Sequence, residues 1–80
     1  MKTVKISLNS IDKVKAFVNE VTKYDAEFDL VSGRYVIDAK SIMGIFSVDL
    51  SRELVLRISS DDVEECKEIR EKLKAFIVED

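Results

Sequence analysis

A chain of 80 residues, 46% apolar and 36% charged, holds one modest core, so a single domain over residues 1–80 is expected. Its net charge of −3, with lysines and arginines interleaved among acids, argues against nucleic-acid binding. It has no histidine and one cysteine, which excludes imidazole acid–base chemistry, a phosphohistidine and, within one chain, a structural zinc site.

Residues 3–8 alternate, with Val4, Ile6 and Leu8 on one face and Thr3, Lys5 and Ser7 on the other, the pattern of a half-buried strand. This start lacks an apolar signal core, and no later run approaches the ~20 apolar residues that span a bilayer. The expected location is the cytoplasm, with no membrane contact. Asn9 or Ser10 then caps a helix that runs to about Thr22. Ile11, Val14, Phe17, Val18 and Val21 recur at spacings of three and four and form its apolar stripe.

A second strand is expected over residues 27–31, with Ala26, Phe28 and Leu30 pointing one way. Ser32-Gly33 supplies a tight turn into a partner strand over residues 34–38, because glycine takes positive φ readily. A fourth strand over 53–59 sets Leu54, Leu56 and Ile58 against Val55, Arg57 and Ser59. The last helix opens near Ser60-Asp61-Asp62, with Ser59 or Ser60 as cap and acids in its first turns, where negative charge suits the helix dipole. Val63, Cys66, Ile69, Leu73, Phe76 and Ile77 form its stripe, with Cys66 a buried structural thiol and Glu79 and Asp80 frayed. The order β-α-β-β-α-β-α, with strands polar on their outer side, predicts an α+β domain: a four-stranded antiparallel sheet covered on one face by three helices.

The most informative stretch lies between the third and fourth strands, Lys40-Ser41-Ile42-Met43-Gly44-Ile45-Phe46-Ser47-Val48-Asp49-Leu50. Ser41 is placed to cap a short helix ending near Ser47. The apolar residues that follow are too dense for one buried stripe. Ile45, Val48 and Leu50 are assigned to the core, and Ile42, Met43 and Phe46 to an exposed docking surface. A capping serine is most simply only a cap. Tyr24 and Tyr35 read as amphipathic packing residues, and the acid pairs Asp61-Asp62 and Glu64-Glu65 as helix-start electrostatics, so no catalytic site and no cofactor are expected.

Lys40-Ser41-Ile42-Met43-Gly44 resembles the regulatory-serine motif of HPr, the small phosphocarrier of the bacterial sugar phosphotransferase system. Val21-Thr22-Lys23-Tyr24-Asp25-Ala26 is similar to the end of that family's first helix and its exit into the second strand. The resemblance covers essentially the whole chain and implies an open-faced β-sandwich. Members carry phosphate from enzyme I to sugar-specific carriers on a histidine at the N-cap of the first helix. Counting back from Tyr24 puts Ser10 at that position, with Asp12 and Lys13 where the family has arginine and proline. Phosphotransfer through Ser10 is not expected, since a phosphoserine ester lacks the transfer potential of a phosphoramidate.

What remains of the family's equipment is regulatory. Ser41 falls on the serine phosphorylated by a bifunctional kinase/phosphorylase. Lys40 becomes a flanking cation, and Ile42, Met43 and Phe46 fall on residues that dock enzyme I, the kinase and a transcriptional regulator of carbon catabolite repression. The catabolite-repression HPr likewise lacks the histidine and keeps the serine. This chain departs from the pattern at Asp12 and at Asp49, where the family often has glycine. The reading is thus a non-enzymatic regulatory docking protein with protein partners, monomeric or dimerised by exchange of its first strand. The alternatives are a phosphocarrier with a non-histidine acceptor and a binding module without phosphorylation.

Overall fold

Alternation in the strands and three-to-four spacing in the helices bring the apolar residues together on one side of a single sheet. The computed structural model describes residues 2–78. The elements are β1 (Lys2–Ile6), α1 (Ile11–Val21), β2 (Phe28–Ser32), β3 (Tyr35–Asp38), α2 (Ile42–Phe46), β4 (Leu54–Ile58) and α3 (Val63–Lys72). The strands lie in the order β1-β4-β2-β3 and every neighbouring pair is antiparallel. Ile6, Phe28, Leu30, Leu54, Leu56 and Ile58 turn inward and meet Val14, Phe17 and Val21 of α1, Ile45 of α2, and Cys66 and Ile69 of α3. Among the described residues the opposite face of the sheet carries no helix.

Local chemistry sets the element ends. Ser10 caps α1, its Oγ accepting from the Lys13 amide at 3.1 Å. The β2–β3 hairpin turns on Gly33-Arg34, one residue later than Ser32-Gly33. Gly33 has φ +60° and no other described residue has positive φ, as in a II′ turn with glycine at its first central position. Arg34 therefore belongs to the turn, and Leu8, although fully buried, lies beyond the end of β1.

α3 differs from expectation at both ends. Its cap is Asp62, not Ser59 or Ser60: one carboxylate oxygen accepts from the Glu64 and Glu65 amides at 2.9 and 3.2 Å. Ser60 is buried two residues upstream, where its hydroxyl donates to the Glu65 carboxylate at 2.7 Å and accepts from the Asp62 amide. Cys66 is a buried free thiol, its Sγ donating to the Ser60 carbonyl at 3.4 Å. Val63, at the first helical position, is exposed instead of joining the stripe. At the other end the helix stops at Lys72, capped by Leu73, and Phe76 and Ile77 are not helical. The chain turns back along β1: Ser7 donates its amide to the Phe76 carbonyl, Val78 donates to Lys5, and Ile77 bridges Ile6 antiparallel. This return covers backbone groups on the outer edge of β1. The Phe76 ring meets Phe17 edge-on, centroids 5.8 Å apart. The expected fraying of Glu79 and Asp80 lies outside the described residues.

Tyr24 is half-buried between the end of α1 and the sheet, its ring tilted against Phe28 at 6.3 Å. Desolvation pushes its phenol above the ordinary tyrosine value near 10, with further contributions from a hydrogen-bonding interaction with the Glu68 carboxylate and the charges of Glu68, Glu20 and Glu65. The raised folded-state value means that this contribution is intact below about pH 10 and is lost as pH rises beyond it. Urea unfolding at pH 9 and pH 11 is therefore expected to show a smaller alkaline loss in Tyr24→Phe than in the unsubstituted chain. Equal losses in the two proteins would remove Tyr24 as the cause.

Candidate functional site

β3 ends in a hydrogen-bonded turn that fixes where Ser41 stands. The Asp38 carboxylate accepts from the Lys40 amide at 2.9 Å, and its carbonyl accepts from the Ser41 amide at 3.0 Å. Buried Ala39 anchors the turn by donating its amide to the Phe28 carbonyl at 3.0 Å. Ser41 itself is extended (φ −100°, ψ 104°) and caps α2: its Oγ accepts from the Gly44 amide at 3.2 Å. A Cβ at Gly44 would stand 3.2 Å from that oxygen, so glycine leaves the hydroxyl uncrowded on this side.

α2 is only five residues long, and its side chains divide by threes. Ile45 is fully buried, and Ile42, three positions before it, is half-buried against the same core. Ile42 is thus partly withdrawn from the outward surface assigned to it. Met43 and Phe46 point the other way and are 77% and 41% exposed. Val48 and Leu50 pack against the core, as assigned.

Lys40 does not stand as a free cation beside Ser41. Its ammonium donates to the Tyr24 carbonyl at 2.6 Å and lies 5.6 Å from the centre of the Phe28 ring. Its role here is to tie the α1–β2 connection to the turn before α2. Asp49 is held below the usual carboxylate range by the hydroxyl and then the amide of Ser51, with Arg52 adding to the effect.

Ser10 sits at the exposed start of α1, with Asp12 in the first turn. Beside it Ile11 is 62% exposed, contrary to its place in the expected stripe. Periodicity alone assigned it to the core; its position directly after the cap is the signal that it overhangs. α1 and α2 pack against one another. Each of the two helices thus opens on a capping serine with an exposed apolar residue nearby. Both serine hydroxyls are engaged in capping.

An open antiparallel sheet with three helices on one face and capped helix starts defines the class: a phosphocarrier-type open-faced sandwich. The chain belongs to the HPr family, since the pattern described as the PTS HPr component phosphorylation site matches residues 12–79. Among solved structures it is similar to HPr-C-His from Thermoanaerobacter tengcongensis, with TM-score 0.73, 28% identity and coverage of 91% of this chain and 90% of that one. It is similar also to a phosphocarrier protein HPr from Bacillus anthracis, with TM-score 0.68, 27% identity and coverage of 96% and 94%. The Bacillus subtilis catabolite repression protein Crh, a swapped dimer, shares the fold at TM-score 0.61 and 24% identity, over 95% of this chain and 90% of its own. A comparison with curated proteins found no match. Among the described residues no helix is long and apolar enough to cross a membrane.

Proposed function

We propose that this chain is a histidine-less regulatory member of its family, a docking protein of the bacterial sugar phosphotransferase and carbon catabolite system, switched by phosphorylation at Ser41. The observation that carries this reading is the juxtaposition on α2: a capping hydroxyl at its start, with Met43 and Phe46 exposed on its next turn. The absence of histidine from the 80 residues supports it, because the family's phosphoramidate cannot form on this chain. Crh, named for catabolite repression, is the kind of relative it fits. Its partners are proteins: HPr kinase/phosphorylase, a transcriptional regulator or components of the phosphotransferase system, met in the cytoplasm.

In the switch, the kinase transfers the γ-phosphoryl group of ATP to the Ser41 oxygen, which loses its proton, and ADP leaves. The product adds about −1.5 to −2 charges and three acceptor oxygens. An exposed charge at a helix start is worth about 0.3–1 kcal/mol, so the fold tolerates the group. The larger effect falls on partners, where the new charge recruits an arginine or repels an acid. Ser10 remains a helix cap; Asp12 beside it adds negative charge that opposes an anionic group there.

The test is incubation with ATP and an HPr kinase, with any phosphate mapped by mass spectrometry. One phosphate on Ser41, lost in Ser41→Ala, is expected. No label on this chain while a control HPr is labelled in the same tube would overturn the switch. Label on Ser10 after incubation with enzyme I and phosphoenolpyruvate would instead make the chain a carrier.

A further inference from the structure

The uncovered face of the sheet has a pattern that single strands do not reveal. The register aligns two rows across all four strands. One row runs Lys5, Val55, Val31 and Val36; the next runs Thr3, Arg57, Asp29 and Asp38. The outward side of the sheet thus holds three adjacent valines beside a row with its cation on β4 and its two carboxylates on β2 and β3. Val36, on the edge strand, is 54% exposed. Arg57 donates from Nη2 to the Asp29 carboxylate at 3.2 Å, and both side chains keep about a third of their surface in solvent. Asp29 stands directly opposite Asp38, a like-charge neighbour that leaves negative charge in excess on that half of the row.

We propose that this face binds a second copy of the chain. Its charge and apolar pattern is self-complementary about a two-fold axis that runs along the strands between β4 and β2. That operation lays β4 of each copy over β2 of the other and β1 over β3. Val55 then meets Val31 of the second copy, and Val31 meets its Val55. Arg57 lies over Asp29 of the second copy and Asp29 over its Arg57, closing a ring of four alternating charges, while Thr3 faces Asp38. The same patch serves both partners, as an isologous interface requires. Aligned packing of two sheets about 10 Å apart is a standard arrangement for such faces.

The face also sets the strength of the association. Strands about 4.8 Å apart and about 17 Å long give each copy roughly 300 Å² of projected surface. A stable interface takes about 800 Å² per partner. The dimer is therefore weak and concentration-dependent. It uses the side of the sheet opposite α2, so it stands or falls independently of docking at Met43 and Phe46.

Sedimentation velocity from roughly 10 µM to 1 mM, the span of weak association, tests it. A reversible rise in sedimentation coefficient is expected. Val31→Asp is expected to weaken association at least tenfold while retaining the unsubstituted circular dichroism spectrum. Arg57→Asp and Asp29→Arg are each expected to weaken self-association, because each homodimer sets like charges against one another. Mixing the two restores dimers, as one copy then carries two anions and the other two cations at the ring. A monomer throughout the concentration range would overturn the proposal. So would a dimer indifferent to all three substitutions, which would point to strand exchange, or a mixture that fails to restore association.

Discussion

Phe17→Ala is expected to lower stability by about 3–5 kcal/mol, the usual cost of emptying a phenylalanine site in a packed core. The whole fold has roughly 4–12 kcal/mol to lose, at 0.05–0.15 kcal/mol per residue over its 80 residues. Phe17 is fully buried midway along α1, where it helps seat that helix on the sheet. It also forms the edge-on contact with Phe76 that holds the chain's return along β1. Removing the ring therefore leaves a cavity and loosens the cover on the β1 edge together. With a urea dependence near 1 kcal/mol per molar, the low end for a small domain, the midpoint is expected to fall by about 3–5 M. Phe17→Leu fills most of the space and should lie well between the two. A midpoint for Phe17→Ala within 0.5 M of the unsubstituted chain, about 0.5 kcal/mol at that slope, would show that α1 is not seated through this residue.

The same residues show what the sequence could and could not disclose. Strand alternation and the stripe of α1 placed seven elements in order, because each apolar face is written locally and the helices need only one sheet to cover. The caps Ser10 and Ser41 were legible for the same reason: a hydroxyl and the amide three residues on belong to one short segment. The end of α3 was not. Leu73, Phe76 and Ile77 keep helical spacing, and no glycine or proline marks the stop. What ends the helix is remote, the unpaired edge of β1 and the Phe17 ring, and neither can be read from residues 70–78 alone. The cap of α3 was misplaced because four consecutive residues, Ser59 to Asp62, all carry capping side chains; geometry chose the one whose carboxylate reaches two amides. At the site two side chains are placed by groups outside their own segment's pattern. The density of apolar residues places Ile42 outward, while its three-residue offset from Ile45 turns it partly toward the core, where it is half-buried. Sequence places Lys40 beside its neighbour Ser41, whereas its long side chain reaches a carbonyl 16 positions earlier.

That division of α2 leads to the second large effect. Phe46→Ala and Met43→Ala are each expected to lower kcat/KM for Ser41 phosphorylation by the kinase by roughly 10-fold or more, the range of an exposed apolar anchor truncated in an interface. Met43 makes little use of the core at 77% exposure, so its truncation should move the unfolding midpoint within the ordinary surface range of about 0.5 kcal/mol. Phe46 buries more of its ring and is expected to cost somewhat more. Ile45→Ala is the counterpart on the inner side: fully buried, it should lose about 2–5 kcal/mol of stability. Its effect on phosphorylation should then follow the folded fraction. The comparison separates contact from scaffold, because 43 and 46 share one side of the helix and 42 and 45 the other. If truncating Met43 and Phe46 leaves kcat/KM unchanged while Ser41 is still labelled, the kinase reaches the hydroxyl without resting on α2. The exposed pair would then need another occupant.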